Sequence, residues 1–194
     1  MNYPVELEVD YPERLSRWMW LVKWLLAIPH FIIVAAFSYL VYAIVVVVVF
    51  ALLFTGRYPN GLFNLVAGYL RWSSRAQLYP LMRDEYPPFS MGEESQYPVR
   101  VRVERPEHPS RWMWLVKWFL VIPHIVVLAL YAIAAFFVIV VAVFAILFTG
   151  RFPRGMFDFV VGFYRWQLRV NAYAVYQMTD QYPPFSGKPS AQLS

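Results

Sequence analysis

The chain reads as a mainly α-helical membrane protein made of two tandem repeats. Three observations predict this: an apolar composition, two long uncharged runs, and a constant offset between repeated motifs. Of 194 residues, 60% are apolar and only 15% charged, against roughly 45–50% and about 25% in average globular chains. Aromatic residues make up 20% and mean hydropathy is +0.46. Such a composition excludes intrinsic disorder, which needs low hydrophobicity. The absence of cysteine excludes a disulfide-stapled scaffold and most thiol or zinc-thiolate chemistry. A net charge of +5 and a pI near 9.5 point to an anionic partner surface. Beside apolar runs, that surface is expected to be the cytoplasmic face of a membrane.

The repeat is read directly from the residues. Tyr3-Pro4-Val5 returns as Tyr97-Pro98-Val99, and Ser16 through Trp24 returns unchanged as Ser110 through Trp118. Ile28-Pro29-His30 returns as Ile122-Pro123-His124, and Phe54-Thr55-Gly56-Arg57 as Phe148-Thr149-Gly150-Arg151, always 94 residues later. The offset becomes 96 only at the closing Tyr86-Pro87-Pro88-Phe89-Ser90 and Tyr182-Pro183-Pro184-Phe185-Ser186. Self-similarity at a fixed period marks a duplicated structural unit. The units run over 1–94 and 95–186, followed by a tail at 187–194 that is expected to fray.

These motifs (IPH, FTGR with Pro and Gly after it, a later Arg-Trp pair, and YPPF) resemble the bacterial membrane family called domain of unknown function 4389. The resemblance covers both halves. It implies a helical membrane module with a small polar part, and it brings no established activity.

Each unit divides into four parts. Residues 4–10 and 98–104 alternate apolar and polar side chains, the period of a half-buried strand. The first strand exposes Glu6, Glu8 and Asp10, and the second exposes Arg100 and Arg102. Opposite charges on facing strands stabilise by roughly 0.2–1 kcal/mol per pair, so the two strands are expected to pair. The membrane segments follow at 18–54 and 112–148. Their only charged or strongly polar residues are Lys23, His30 and Ser38 in the first, and Lys117 and His124 in the second. As one helix each would be about 55 Å long, whereas the hydrocarbon core is about 30 Å thick. Two short spans per unit, a transmembrane helical hairpin turning near Ser38, would match the bilayer and keep the flanking arginines on one side. One long helix kinked at Pro29 is the alternative. Exit turns with Gly56 and Gly150 come next. Aromatic, basic helices at 62–78 and 156–178 then suit a membrane interface. The whole is expected at the cell membrane, multi-pass, with cytoplasmic termini and a pseudo-two-fold axis along the membrane normal.

Candidate functional residues fall into two groups. Arg17, Lys23, Arg57, Arg71 and Arg75, with their counterparts Arg111, Lys117, Arg151, Arg165 and Arg169, are candidate contacts to anionic lipid headgroups, since guanidinium forks match phosphate. His30 and His124 are intramembrane polar groups. They could satisfy backbone groups freed by the preceding Pro, relay protons, or meet and ligate a haem. No catalytic motif, phosphate-binding glycine loop or metal set is found, and no cofactor is expected. The expected function is therefore a non-enzymatic membrane scaffold or accessory subunit. Its expected partners are anionic lipid and another membrane protein or a second copy of the chain, with no nucleic acid. A small transporter or channel, and a bis-His haem-binding redox subunit, are the alternatives.

Overall fold

The computed structural model describes residues 3–190. Its order is β1 (Val5–Val9), α1 (Met19–Thr55), α2 (Asn60–Met82), β2 (Val99–Val103), α3 (Met113–Leu120), α4 (Ile122–Thr149) and α5 (Arg154–Ala174). The two strands form an antiparallel pair. Of the expected tail, residues 191–194 lie outside the described residues. Residues 187–190 are not frayed, because Gly187, Lys188 and Ser190 all hydrogen-bond to arginines of α5.

The expected hairpin is not found. α1 is one continuous helix of 37 residues. In the second unit, the only interruption is at Val121, one residue before Ile122-Pro123, which divides α3 from α4. The reason lies in what a turn requires. No Gly or Pro stands near Ser38 to reverse the chain, and a reversal would strand backbone groups among apolar side chains. Ser38 instead folds its hydroxyl back onto the Ala35 carbonyl at 2.6 Å. The valine run Val45–Val49 has poor intrinsic helix propensity, up to about 0.7 kcal/mol per residue below Ala. The run is helical nonetheless, which keeps its backbone groups bonded within the segment. Both long helices end at a glycine in the left-handed region, Gly56 at φ 64° and Gly150 at φ 69°. Their amides bond back to Leu52 and Ile146 at 2.9 and 2.7 Å. A side chain at that φ is strained, which explains the repeated Thr-Gly-Arg.

The strand register exposes the symmetry of the molecule. Leu7 faces Val101, its own counterpart in the other repeat, while Glu6 faces Arg102 and Glu8 faces Arg100. A pseudo-two-fold axis therefore passes through the Leu7–Val101 pair. Contacts elsewhere obey it. Tyr11 donates to the Phe152 carbonyl at 2.5 Å, and the matching Arg105 donates to the Tyr58 carbonyl. Arg71 donates to the Val101 carbonyl at 3.3 Å, and the matching Arg165 to the Leu7 carbonyl at 2.9 Å. Each strand thus packs against the helix that follows the long helix of the other repeat, β1 on α5 and β2 on α2. The inner face of the strand pair buries Val5, Leu7, Val99 and Val101 against these helices.

Two close approaches then fix how the long helices run. A Cβ placed on Gly56 would stand 3.0 Å from the Arg111 side chain, and one on Gly150 would stand 3.4 Å from the Leu15 carbonyl. Leu15 also donates its amide to the Gly150 carbonyl at 2.8 Å. The end of α1 therefore touches the chain just before α3, which leads into α4, and the end of α4 touches the chain just before α1. The axis carries start to start and end to end, so both helices lie perpendicular to it and run antiparallel. The strand pair, which sits on the axis, stands level with their midpoints. α2 lies back along α1 and α5 along α4, covering one face of each long helix. Elsewhere α1 and α4 expose large apolar side chains, among them Leu25 (67%), Phe54 (78%) and Phe148 (77%).

Candidate functional site

The two histidines lie in matching aromatic cages. His30 is fully buried, and its ring stacks on Phe89 at 3.9 Å and 12°. Trp72 donates its indole N–H to His30 Nδ1 at 3.0 Å. An indole nitrogen only donates, so Nδ1 is the acceptor and the ring proton sits on Nε2. His124 repeats this with Phe185 at 4.0 Å and Trp166 at 3.1 Å. Both rings thus close a helix-to-loop joint, and the indole partner replaces the expected role of satisfying backbone groups freed by Pro. The structure does not bring the two histidines together. Each belongs to the aromatic cluster of its own repeat, so a shared haem finds no bis-His site. Among the described residues, no group of three or more His, Asp or Glu could hold a metal.

The lysines are not free for headgroups either. Lys23 pairs with Asp84, and Lys117 pairs with Asp180 at 2.7 Å, with the Lys117 side chain 1% exposed. The same aspartates accept the amides of Ser16 and Ser110 at 2.7 and 2.6 Å. Each carboxylate therefore pins the entry of a long helix and neutralises a cation in its first turns. Sequence reasoning missed these aspartates. Their signal was available, because each stands two residues before a YPPF motif and keeps the shifted offset of 96.

The helix arginines turn inward. In the second repeat, the Glu6 carboxylate bridges Arg165 at 2.9 Å and Arg169 at 2.5 Å. Ser190 donates to the same carboxylate at 2.9 Å, and Arg169 also binds the Ser186 and Lys188 carbonyls at 3.1 and 3.0 Å. In the first repeat, Arg75 binds the Ser90 and Gly92 carbonyls at 2.9 and 3.0 Å, and Arg71 meets the exposed Glu93 at 2.5 Å. Burial holds the Arg75 and Arg165 guanidiniums below the usual arginine range, while Glu94 and Glu6 respectively act the other way. Lys23, Lys117, Arg75, Arg165 and Arg169 are thus engaged inside the protein, and Arg71 is largely so. Of the ten expected headgroup contacts, only Arg17, Arg57, Arg111 and Arg151 are exposed. They gather in two groups at opposite ends of the long helices, Arg17 over Gly150 and Arg111 over Gly56.

The outer face of the strand pair is charged throughout. Arg100 grips Asp10 in a two-point contact at 2.7 and 2.8 Å, and Glu8 pairs with both Arg100 and Arg102. The Arg100 contact holds the Asp10 carboxyl below its ordinary range.

Two stretches, 17–91 and 111–187, match the family model described as domain of unknown function DUF4389. The chain belongs to the DUF4389 family. Each match runs from the repeated arginine before the long helix, Arg17 or Arg111, to the segment after YPPF, so one DUF4389 copy comprises a long helix, its return helix and the closing loop. The strands lie outside both matches and join the copies. No curated protein and no solved structure matches the chain.

Proposed function

We propose that this DUF4389 protein is a non-catalytic membrane scaffold whose two long helices lie within one leaflet, with the charged strand pair facing water. α1 and α4 are both long and apolar enough to cross a membrane. The level of the strand pair is the observation that favours lying over crossing. It stands at the midpoints of the long helices and exposes Asp10 (54%) and Arg102 (63%). If the helices stood upright, these charges would sit at the bilayer centre, where each costs at least about 2.5 kcal/mol. With the symmetry axis along the membrane normal, the apolar faces of α1 and α4 meet acyl chains and the charges stay wet. Arg17, Arg57, Arg111 and Arg151 then all reach the headgroup level, each contributing about 1 kcal/mol of attraction to an anionic surface. The 37 residues of α1 span about 55 Å, too long for one upright crossing but no obstacle to a helix lying flat.

Labelling tests this reading in a chain without native cysteine. Glu13→Cys and Asn60→Cys place thiols at exposed positions near opposite ends of α1. In intact cells, an impermeant maleimide is expected to treat the two alike, labelling both or neither. Labelling of one alone would mean that α1 crosses. The membrane reading as a whole is checked by extraction: the protein should resist alkaline carbonate and yield to detergent. Recovery in the aqueous fraction without detergent would reject it.

A further inference from the structure

We propose that the cleft between α2 of the first repeat and β2 of the second binds a phosphate group, free or carried by a lipid. The internal symmetry points to it. Arg71 and Arg75 are the counterparts of Arg165 and Arg169, and the symmetric carbonyl contacts of Arg71 and Arg165 show that the two helices stand alike against the strands. In the second repeat, an oxyanion sits between the two arginines, the Glu6 carboxylate. In the first repeat, the strand residue at that place is Arg100, whose guanidinium turns away to Asp10 and Glu8. The same pair of arginines therefore lacks its bridging oxyanion from the strand.

Arg75 is 1% exposed, and its Nη1 has no hydrogen-bond partner. An unpaired buried guanidinium nitrogen is costly. Arg71 is held by the Val101 carbonyl at 3.3 Å and by Glu93, which is 75% exposed, and exposed ion pairs contribute about 0–1 kcal/mol. The cleft has a volume of about 210 Å³, and Arg71, Arg75, Arg100 and Arg102 all line it. The cleft is open to solvent on one side and admits a group larger than a side-chain carboxylate. A tetrahedral oxyanion of higher charge fits both the space and the number of guanidiniums, which pair with phosphate through two parallel bonds. Three carboxylates also line the cleft, Glu93, Glu94 and Glu8. Glu8 stays paired with Arg100 and Arg102, so Glu93 and Glu94 are the groups that a phosphate must displace.

The site does not depend on how the helices meet the membrane, so its failure and the failure of the scaffold reading are separately visible. The full chain in detergent is titrated with inorganic phosphate by calorimetry. Wild type is expected to bind, Arg71→Gln and Arg75→Gln to bind at least about tenfold more weakly, and Glu93→Gln to bind severalfold more tightly. Arg14→Gln, on the exposed N-terminal segment, should match wild type. Because loss of buried Arg75 can impair folding, Arg71→Gln and Glu93→Gln decide the matter, each checked for an unchanged helical spectrum. The source is separated in nanodiscs of phosphatidylcholine with and without phosphatidic acid. If phosphatidic acid displaces inorganic phosphate, the site takes a lipid headgroup, and if it leaves phosphate binding unchanged, the site takes the free ion. Absence of phosphate binding by wild type, or equal binding by Arg71→Gln, would overturn the assignment.

Discussion

At the scale of single residues, the indole–imidazole bond is the most sharply defined contact. Trp72→Phe keeps the aromatic bulk but leaves His30 Nδ1 a buried acceptor without a donor. The expected loss is about 1–3 kcal/mol, seen as a lower unfolding midpoint in detergent, and Trp166→Phe should behave alike. An unchanged midpoint would show that the cage is held by stacking alone. The Asp10–Arg100 contact carries a pH dependence of known sign. The Asp10 carboxyl titrates below its ordinary range when folded. Its contribution is therefore present above that range and is lost as pH falls through the folded value. Asp10 is mostly exposed, so the effect is small, below about 1 kcal/mol. Comparing wild type with Asp10→Asn, the difference in midpoint should vanish in acid and appear on raising the pH towards neutrality.

At the scale of elements, the closing segments act as clamps. A Cβ on Gly187 would lie 2.5 Å from the Gly162 carbonyl oxygen, inside the backbone of α5. Gly187→Ala should therefore lift this segment, at about 1–3 kcal/mol, and open the 182–190 region to limited proteolysis. Equal protection in the variant would disprove the clamp. The elements also show what a single sequence can reveal. The alternation of Val5, Leu7 and Val9 with acids, and of Val99, Val101 and Val103 with arginines, was enough to pair the strands before any coordinates. The long helices were legible in length but not in course. A valine-rich run carries no periodic polar mark to say which face is covered or whether it turns. Nor could local patterns place Glu6 between Arg165 and Arg169, because that contact joins residues more than 150 positions apart. The cations at 23, 117, 165 and 169 looked like surface groups because their carboxylate partners are remote in sequence.

At the scale of the whole molecule, exchange of strands between the repeats makes one body from two copies. Alone, the first repeat could pair only with itself, setting Glu6 against Glu8, and the second would set Arg100 against Arg102. Like charges directly opposite destabilise a strand pair. Fragments 1–94 and 95–194, each tagged and expressed together, should co-purify as a one-to-one complex, while neither should dimerise alone. Stable homodimers of either fragment would show that charge does not direct the pairing.

The antiparallel course of α1 and α4, both perpendicular to the symmetry axis, has a mechanical corollary in the scaffold reading. Two rods, α1 of 37 residues and α4 of 28, about 55 and 42 Å long and lodged in one monolayer, would swell that monolayer and leave its opposite unchanged. The lipid sheet would then bulge toward the protein, and amphipathic insertion of this kind is sensitive to existing curvature. The protein should consequently partition more strongly into small, highly bowed vesicles than into large flat ones of the same composition.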